Sequence, residues 1–184
     1  MSKFTTHTIE SAPEGSKAIL SGANEKLGFV PNLYANMAES PAVLEAYTTL
    51  SEIYGKSSLS PTEQQVVSLA ASVVNGCEFC VAAHSIIAKN MMNVDADIVK
   101  SLRDRDAIAD AKLEALATFT RAVVNQRGWV AGETTDAFLA AGFTKAQALE
   151  VVLGVTQKTL SNYTNHLAET ELNEQFASET WSKD

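Results

Sequence analysis

The chain has 184 residues, 46% of them hydrophobic, and a formal net charge of −8 at pH 7. This length supports one sizeable core, which predicts a single domain over residues 1–184. The acidic balance and the lack of a Lys/Arg cluster argue against nucleic acid and anionic membranes as partners, because both are bound through basic surfaces. No apolar run approaches the roughly 18 residues of a membrane span, and the N-terminus lacks a signal-peptide apolar region, so we expect a cytoplasmic protein.

Proline and glycine divide the first third of the chain into three predicted helices. Residues 1–10 are polar and patternless, so we expect a flexible arm that is loose or lies on a partner subunit. A helix begins near Pro13 and ends at Gly28, a brief helix covers 32–39, and Ser40 with the following proline opens a longer one. The predicted buried positions are Leu20, Ala23 and Leu27 in the first helix, and Val43, Leu44, Tyr47, Leu50, Ile53 and Tyr54 in the third.

The next predicted helix runs from Ser60 to about Asn75 and should be central. Ser60 and Glu63 form a capping-box pattern at its start. The helix is apolar almost all round, which is typical of a buried helix. A narrow polar stripe interrupts it at spacings of three and four, and that stripe could face either water or a functional site. Its members are Gln65, Ser68, Ser72 and Asn75.

The second half of the chain also predicts helices and no strand. We expect helices near 95–103, 109–127 and 134–141, and a final helix that begins at a capping box at Thr144. The class is therefore all-α, a helical bundle. The predicted apolar stripe of the final helix is Val151, Val152, Val155, Leu160, Tyr163 and Leu167. In the tail, Phe176 and Trp181 are better explained by docking on the domain than by disorder.

Both cysteines lie in one short motif, Asn-Gly-Cys-Glu-Phe-Cys, which a histidine follows four residues later. On a helix, Cys77, Cys80 and His84 share one face. The Asn-Gly pair ends the preceding helix and places Cys77 in or near a first turn, where free backbone N–H groups favour a thiolate. Such an environment matters, because an unperturbed thiol of pKa near 8.5 is only about 3% ionised at pH 7.

The cysteine pair has two other interpretations. Free cysteines often pack as small hydrophobic residues, although the histidine at helical spacing makes this less favoured. A zinc site would need about four ligands, and the remaining histidines, His7 and His166, lie in the arm and on a distant helix. In a reducing compartment, two close cysteines are more often redox-active or metal-binding than structural. We therefore predict a redox site and no metal.

The chain resembles the alkylhydroperoxidase D and carboxymuconolactone decarboxylase superfamily, in particular its peroxidase-related members. The resemblance rests on the run Leu59-Ser60-Pro61-Thr62-Glu63-Gln64-Gln65 and on the Cys-x-x-Cys motif with its histidine. It implies an all-helical, cofactor-free homo-oligomer, commonly a trimer or hexamer, that reduces hydroperoxides. It also implies resetting by an external dithiol, such as a lipoyl or thioredoxin-like protein.

The resemblance further implies a role for each site residue. Cys80 is the thiol that attacks the peroxide, Cys77 is the resolving thiol, and His84 is the base. Helix geometry agrees, because His84 lies one turn from Cys80 but two turns, roughly 10 Å, from Cys77. Gln65 departs from the family pattern, which has a glutamate here. An amide can orient the histidine but cannot hold a charge, so we expect a weakened proton relay.

Two other functions remain open on the sequence alone. One is the lactone decarboxylase chemistry of the same superfamily, which does not use a cysteine pair. The other is a non-catalytic redox-sensing oligomer, which Gln65 favours. A hydroperoxide reductase that acts through Cys80, Cys77, His84 and Gln65 is the prediction that best fits the motif.

Overall fold

A computed structural model describes residues 4–183, which contain nine α-helices and no strand, and the predicted all-α class is confirmed. The helices are α1 (Glu14–Leu27), α2 (Asn32–Met37), α3 (Pro41–Tyr54), α4 (Pro61–Val74), α5 (Glu78–Ile86), α6 (Ala96–Asp104), α7 (Ala111–Asn125), α8 (Gly132–Ala140) and α9 (Lys145–Ala168). A π-helical turn, Ile87–Met91, continues α5, and a 3₁₀-helix, Glu174–Glu179, follows α9.

The capping signals in the sequence explain why these helices begin and end where they do. Ser60 Oγ accepts a hydrogen bond from the Glu63 N–H at 3.3 Å, and the Glu63 carboxylate accepts from the Ser60 N–H at 2.7 Å. Thr144 caps α9 with the same reciprocal arrangement. Gly28 ends α1 with a φ of 81°, a backbone conformation that side chains with a Cβ disfavour.

Helix α4 lies at the centre of the fold, as predicted, and packs against α5, α6, α7 and α9. Ten of its side chains are buried, and most of the apolar ones belong to the first of two hydrophobic clusters. The first cluster lies between α4 and the C-terminal helices and includes the stacked rings of Phe119, Phe138 and Phe143. The second lies between α1, α2, α3 and α5 and contains both cysteines. The cysteine site is therefore part of a packed core.

Helix α9 is rotated relative to the prediction. Of its six predicted apolar positions only Val151 is fully buried, whereas Val152, Tyr163 and Leu167 are 43%, 59% and 70% exposed. Half of the apolar positions named from the sequence are therefore exposed rather than buried. The side chains that α9 buries are mostly polar or small, namely Gly154, Gln157, Lys158, Ser161, Asn162, Asn165 and Ala168. The polar face is inside because its partners are the polar side chains of α4 and α5 rather than a hydrocarbon core.

Two smaller predictions of buried positions are also wrong. Leu27 at the end of α1 and Ile53 near the end of α3 are 39% and 48% exposed. Both lie in the last turn of a helix whose earlier apolar positions, Leu20 and Leu44, are completely buried. In α1 the apolar stripe continues beyond the part of the helix that the core covers, whereas in α3 the next residue, Tyr54, is buried and only Ile53 of the stripe faces away from the core.

Both ends of the described chain are attached to the domain. Thr6 Oγ1 donates to Asn36 Oδ1 at 2.9 Å, and His7 pairs with Glu39 at 2.9 Å, so the predicted loose arm is held on α2 of its own chain. The part of that prediction covering residues 1–3 lies outside the described residues. At the other end, Phe176 is buried and the Trp181 Nε1–H donates to the Arg103 carbonyl, which confirms that the tail docks.

Within residues 4–183, no single helix is both long and apolar enough to span a membrane. The helices α8 and α9 meet those criteria only as a pair, and they are bent by 113° at the break between them.

Candidate functional site

The backbone at the start of α5 separates the two cysteines. Gly76 has a φ of 66° and reverses the chain after α4. Cys77 is the N-cap residue of α5, with an extended φ of −86° and ψ of 92°, and its N–H donates to the Ser72 carbonyl at 2.9 Å. Cys80 therefore lies inside the first turn and Cys77 just before it. The sequence predicts Cys77 in or near the first turn, and the structure places it at the N-cap with Cys80 inside that turn.

Both sulfur atoms are buried and both cysteines are free thiols; they are 1% and 2% exposed. The amide of Asn165 on α9 reaches both, with Nδ2 at 3.2 Å from Cys80 Sγ and 3.7 Å from Cys77 Sγ. Ser161 Oγ lies 3.8 Å from Cys80 Sγ. Cys80 thus has more polar contacts than a cysteine that only packs as a hydrophobic residue.

These contacts shift the pKa values of the two cysteines in opposite directions. Burial by itself would raise the pKa of Cys80, but the hydrogen bond from Cys77 and the positive charge of Lys158 outweigh it. With further hydrogen bonds from Ser161 and Asn162, they lower the pKa of Cys80 to about 5. The pKa of Cys77 is raised, first because its S–H donates to Cys80 and also because it is buried. At pH 7 Cys80 is therefore a thiolate and Cys77 a thiol.

His84 is held between two polar side chains. Its Nδ1 lies 2.9 Å from Gln65 Oε1, and its Nε2 lies 2.7 Å from Lys158 Nζ. An ammonium group can only donate, so Nε2 accepts from Lys158 and Nδ1–H donates to the Gln65 oxygen. Burial and the charge of Lys158 hold the pKa of His84 well below its usual value. The imidazole is therefore neutral at pH 7.

The structure places the four residues predicted from the sequence along the contact between α4 and α5, where Gln65 bonds to His84 and the Asn165 amide reaches both cysteines. The open question about the polar stripe of α4 is answered in the same region. Gln65, Ser68 and Ser72 are buried, and Ser72 Oγ accepts from the Asn162 amide at 3.3 Å, so the stripe faces α5 and α9 rather than water.

Sequence reasoning missed the contribution of α9 to this site. Lys158, Ser161 and Asn165 all touch α5 side chains, and Asn162 bonds to α4. Their spacing of three and four residues was visible in the sequence and defines a helix face. The apolar stripe on the opposite side of α9 is at least as regular, so an interpretation based on hydrophobicity selects that stripe and overlooks the polar face.

A cavity of about 890 Å³ opens beside the cysteine pair. Cys80, His84 and Lys158 line it, so the ionised sulfur and the cation reach the same space. Its walls are otherwise largely apolar, with aromatic rings that include Tyr34, Tyr47, Phe79 and Phe176. The cavity could therefore hold a small organic molecule next to the thiolate.

The C-terminal segment 171–183 forms one wall of this cavity. Phe176 packs edge-on against Phe29 and Phe79, with ring centroids 5.6 and 5.8 Å apart. Glu179 accepts hydrogen bonds from Lys89 and from Arg103, the latter at 3.3 Å. This segment therefore docks on α5 and contributes Gln175 and Phe176 to one side of the cavity.

A second cavity, of about 780 Å³, lies between α3, α7 and α9 and is lined by the exposed apolar side chains of α9. It contains no cysteine or histidine. Across residues 4–183, His, Cys, Asp and Glu side chains nowhere gather in a group of three or more that could hold a metal ion.

Comparisons with known proteins agree with this arrangement. The model of the carboxymuconolactone decarboxylase family matches residues 41–122, which run from α3 into α7 and include the cysteine motif. A search of curated protein sequences found no match.

Solved structures with the same fold cover almost the whole chain. An alkylhydroperoxidase AhpD core, a peroxidase-related protein from Ralstonia eutropha JMP134, is 22% identical with a TM-score of 0.82, over 95% of this chain and 94% of its own. A peroxidase-related protein from Silicibacter sp. TM1040 is 19% identical with a TM-score of 0.81, over 96% and 93%. A Cys-to-Ala variant of the debrominase Bmp8, in complex with 2,3,4-tribromopyrrole, is 16% identical with a TM-score of 0.80, over 97% and 96%. At these identities the likeness is one of fold.

Proposed function

We propose that the chain is a member of the alkylhydroperoxidase D-like, carboxymuconolactone decarboxylase superfamily, whose family model matches residues 41–122, and that it reduces organic hydroperoxides with its cysteine pair. The observation that carries this proposal is the contrast between the two thiols. Cys80 is held as a thiolate beside a cavity, and Cys77, its neighbour, is held as a thiol. A peroxidase needs this pairing of a nucleophile with a proton-bearing resolving thiol.

The reaction has two steps on the protein. The Cys80 thiolate attacks the distal oxygen of the hydroperoxide, the O–O bond breaks, and an alkoxide leaves while Cys80 becomes a sulfenic acid. The Cys77 sulfur then attacks the sulfenic sulfur and forms the disulfide, and its proton leaves with the hydroxide as water. The position of Cys77 in an extended N-cap conformation supports this step, because residues before a helix move more easily than residues inside it.

An external dithiol resets the pair by thiol–disulfide exchange, and a lipoyl or thioredoxin-like protein is the partner we propose. Both sulfurs are buried, so this partner has to reach them through the cavity that Cys80 lines. The exposed apolar face of α9 supports assembly into a homo-oligomer, a trimer or hexamer, because isolated soluble domains rarely expose a contiguous apolar surface.

The proposal is tested with the reduced protein and cumene hydroperoxide in single-turnover experiments, in which loss of free thiols is followed against time. Wild type should lose two thiols for each peroxide consumed. Cys80→Ser should lose reactivity almost completely. Cys77→Ser should still react once and accumulate a sulfenic acid that dimedone traps. Peroxide consumption that continues unchanged in Cys80→Ser would overturn the assignment.

A second candidate is reductive dehalogenation of a halogenated aromatic compound. It is favoured by the aromatic walls of the cavity beside Cys80 and by the fold shared with a debrominase. Two thiols can supply the two electrons that convert an aryl C–Br bond into C–H, with bromide as the leaving group and a disulfide as the product. Release of bromide from 2,3,4-tribromopyrrole, with no turnover of hydroperoxides, would favour this reaction over the first.

Two further outcomes would favour one of the other functions that the sequence leaves open. Activity that survives alkylation of both cysteines would favour decarboxylase chemistry. A disulfide that forms and is reduced reversibly, with no turnover of any peroxide, would favour a redox sensor.

A further inference from the structure

Lys158 is a buried cation that the roles assigned above leave without a function. It is 1% exposed, and its Nζ bonds to His84 Nε2 at 2.7 Å. No carboxylate of residues 4–183 lies within 4.0 Å of that ammonium group. A buried charge with no partner of opposite sign is strongly unfavourable, so an anion nearby would stabilise the ammonium form of this lysine.

The anion that the site provides is the Cys80 thiolate. Cys80, His84 and Lys158 line the same cavity, and the charge of Lys158 acts on the sulfur across it. The other titratable groups that feel this charge are Cys77 on α5 and Tyr34 on α2. Burial raises the pKa of Tyr34, so its hydroxyl is neutral at pH 7 and does not compensate Lys158.

The contacts of His84 exclude a simple role as the base. Its acceptor nitrogen, Nε2, is already occupied by Lys158, and its other nitrogen donates to Gln65. Gln65 suits this arrangement because an amide oxygen accepts the Nδ1–H without adding a charge. A carboxylate there would favour a protonated imidazole, which would face the ammonium group of Lys158.

We propose that Lys158 is the proton source of the reaction, while a neutral His84 positions it. This role rests on the proposed peroxidase function. The ammonium group balances the Cys80 thiolate in the resting protein and gives its proton to the alkoxide that leaves when the O–O bond breaks.

The protons and electrons balance over a full cycle. Cys80 thiolate, Cys77 thiol, protonated Lys158 and the hydroperoxide give the disulfide, an alcohol, water and neutral Lys158. The external dithiol then returns two electrons and two protons. One proton restores the Cys77 thiol and the other restores the Lys158 ammonium, while Cys80 returns to its thiolate. Lys158 therefore loses its positive charge in the same half-cycle in which Cys80 loses its negative charge.

The test compares two peroxides of similar size whose leaving groups differ in basicity. Cumene hydroperoxide releases an alkoxide, a strong base that needs a proton. Peroxybenzoic acid releases benzoate, a weak base that needs none. For each protein the measured quantity is the ratio of the two second-order rate constants, cumene hydroperoxide over peroxybenzoic acid. Both rate constants depend in the same way on the fraction of thiolate and on the fraction of correctly folded protein, so these fractions cancel in the ratio.

Lys158→Met should lower the ratio about 100-fold, the scale of one well-placed proton transfer. Lys158→Arg separates the two roles of the lysine, because arginine keeps the charge but does not give up a proton. It should keep the thiolate absorbance of Cys80 at 240 nm at low pH and still lower the ratio. The matched control is Lys100→Met, which removes an exposed lysine from α6 and should leave the ratio unchanged.

The outcomes distinguish this role from the function on which it rests. A Lys158→Met variant that loses both activities equally, beside a wild type active on both peroxides, would overturn the role of Lys158 alone. A Lys158→Arg variant with the wild-type ratio would overturn proton donation as well. A wild type that reduces neither peroxide would overturn the peroxidase function and this role with it.

Discussion

The two faces of α9 reverse the usual distribution of polar and apolar side chains. The inner face carries Lys158, Ser161, Asn162 and Asn165, all at most 4% exposed, while Tyr163 and Leu167 on the outer face are mostly exposed. A face that packed only for stability would be apolar. The inner face is polar because it supplies hydrogen bonds and a charge to two sulfur atoms and an imidazole. The comparison shows that polar contacts with α4 and α5, rather than apolar packing, set the orientation of this helix.

Among substitutions on the inner face of α9 other than those of Lys158, Asn165→Leu is expected to have the largest effect. This change keeps the number and branching of the side-chain heavy atoms but removes the Nδ2 donor that lies 3.2 Å from Cys80 Sγ. A hydrogen bond to a charged group contributes about 1.5–3 kcal/mol, so the pKa of Cys80 should rise by about one to two units. The pH profile of alkylation by iodoacetamide measures this shift. The control is Asn24→Leu, at an exposed site on α1, and an unshifted profile in Asn165→Leu would contradict the assigned contact.

The next effect concerns how closely the inner face packs. Gly154 faces Tyr54, and a Cβ at this position would lie 2.7 Å from the tyrosine ring. Tyr54 is buried, so it cannot simply move into solvent. Gly154→Ala should lower the free energy of unfolding by about 1–3 kcal/mol despite the better helix propensity of alanine.

Gly22→Ala on α1 is the matched control for this prediction, because nothing lies within 4 Å of the added Cβ. It should raise the free energy of unfolding by up to about 1 kcal/mol. Both variants are measured by urea unfolding, and equal effects of the two substitutions would contradict close packing at Gly154.

A pH-dependent effect follows from the thiolate itself. The pKa of Cys80 is about 5 in the folded protein and near its ordinary value, about 8.5, in the unfolded chain. Between these values the unfolded chain binds the extra proton, so the free energy of unfolding rises with pH over this window and its thiolate contribution is lost as pH falls through 5. Urea unfolding of the reduced protein at pH 5, 6.5 and 8 should show wild type gaining stability relative to Cys80→Ser. If the free energies of unfolding of wild type and Cys80→Ser changed with pH in parallel, the result would contradict a Cys80 thiolate in the folded protein.

The smallest effect on the fold is expected on the outer face. Leu167→Glu places a charge on a side chain that is 70% exposed, so the free energy of unfolding of one chain should change by no more than about 0.5 kcal/mol. The same change should dissociate the proposed homo-oligomer, because it puts a charge into its apolar contact. Light scattering after size exclusion measures the mass of the assembly. A monomeric wild type would contradict the assignment of this face to assembly.

Much of the fold could be predicted from the sequence because its signals are local. Capping residues such as Ser60 and Thr144 and the stop at Gly28 place helix ends within a few residues. The cysteine motif likewise placed three site residues on one helix face. The rotation of α9 could not be predicted in this way, because it depends on what the helix packs against. Lys158 and Asn165 lie about 80 residues from the cysteines, so only the tertiary structure shows their contacts with α5.

The position of Gln65 shows why a local interpretation of the site was incomplete. From the sequence, the missing glutamate predicted a weakened proton relay. In the structure a cation on α9 occupies the other side of His84, so a neutral amide is the partner that fits. The same substitution therefore has a different meaning once the charge of Lys158 is known.

The polar face of α9 makes Cys80 a thiolate at neutral pH. The most direct test of this assignment is the thiolate absorbance at 240 nm of the reduced protein between pH 4 and 10, with Cys80→Ser as the reference. The structure predicts a midpoint near pH 5 in wild type that is absent from Cys80→Ser. A wild-type midpoint near 8.5, or a low midpoint that persists without Cys80, would contradict it.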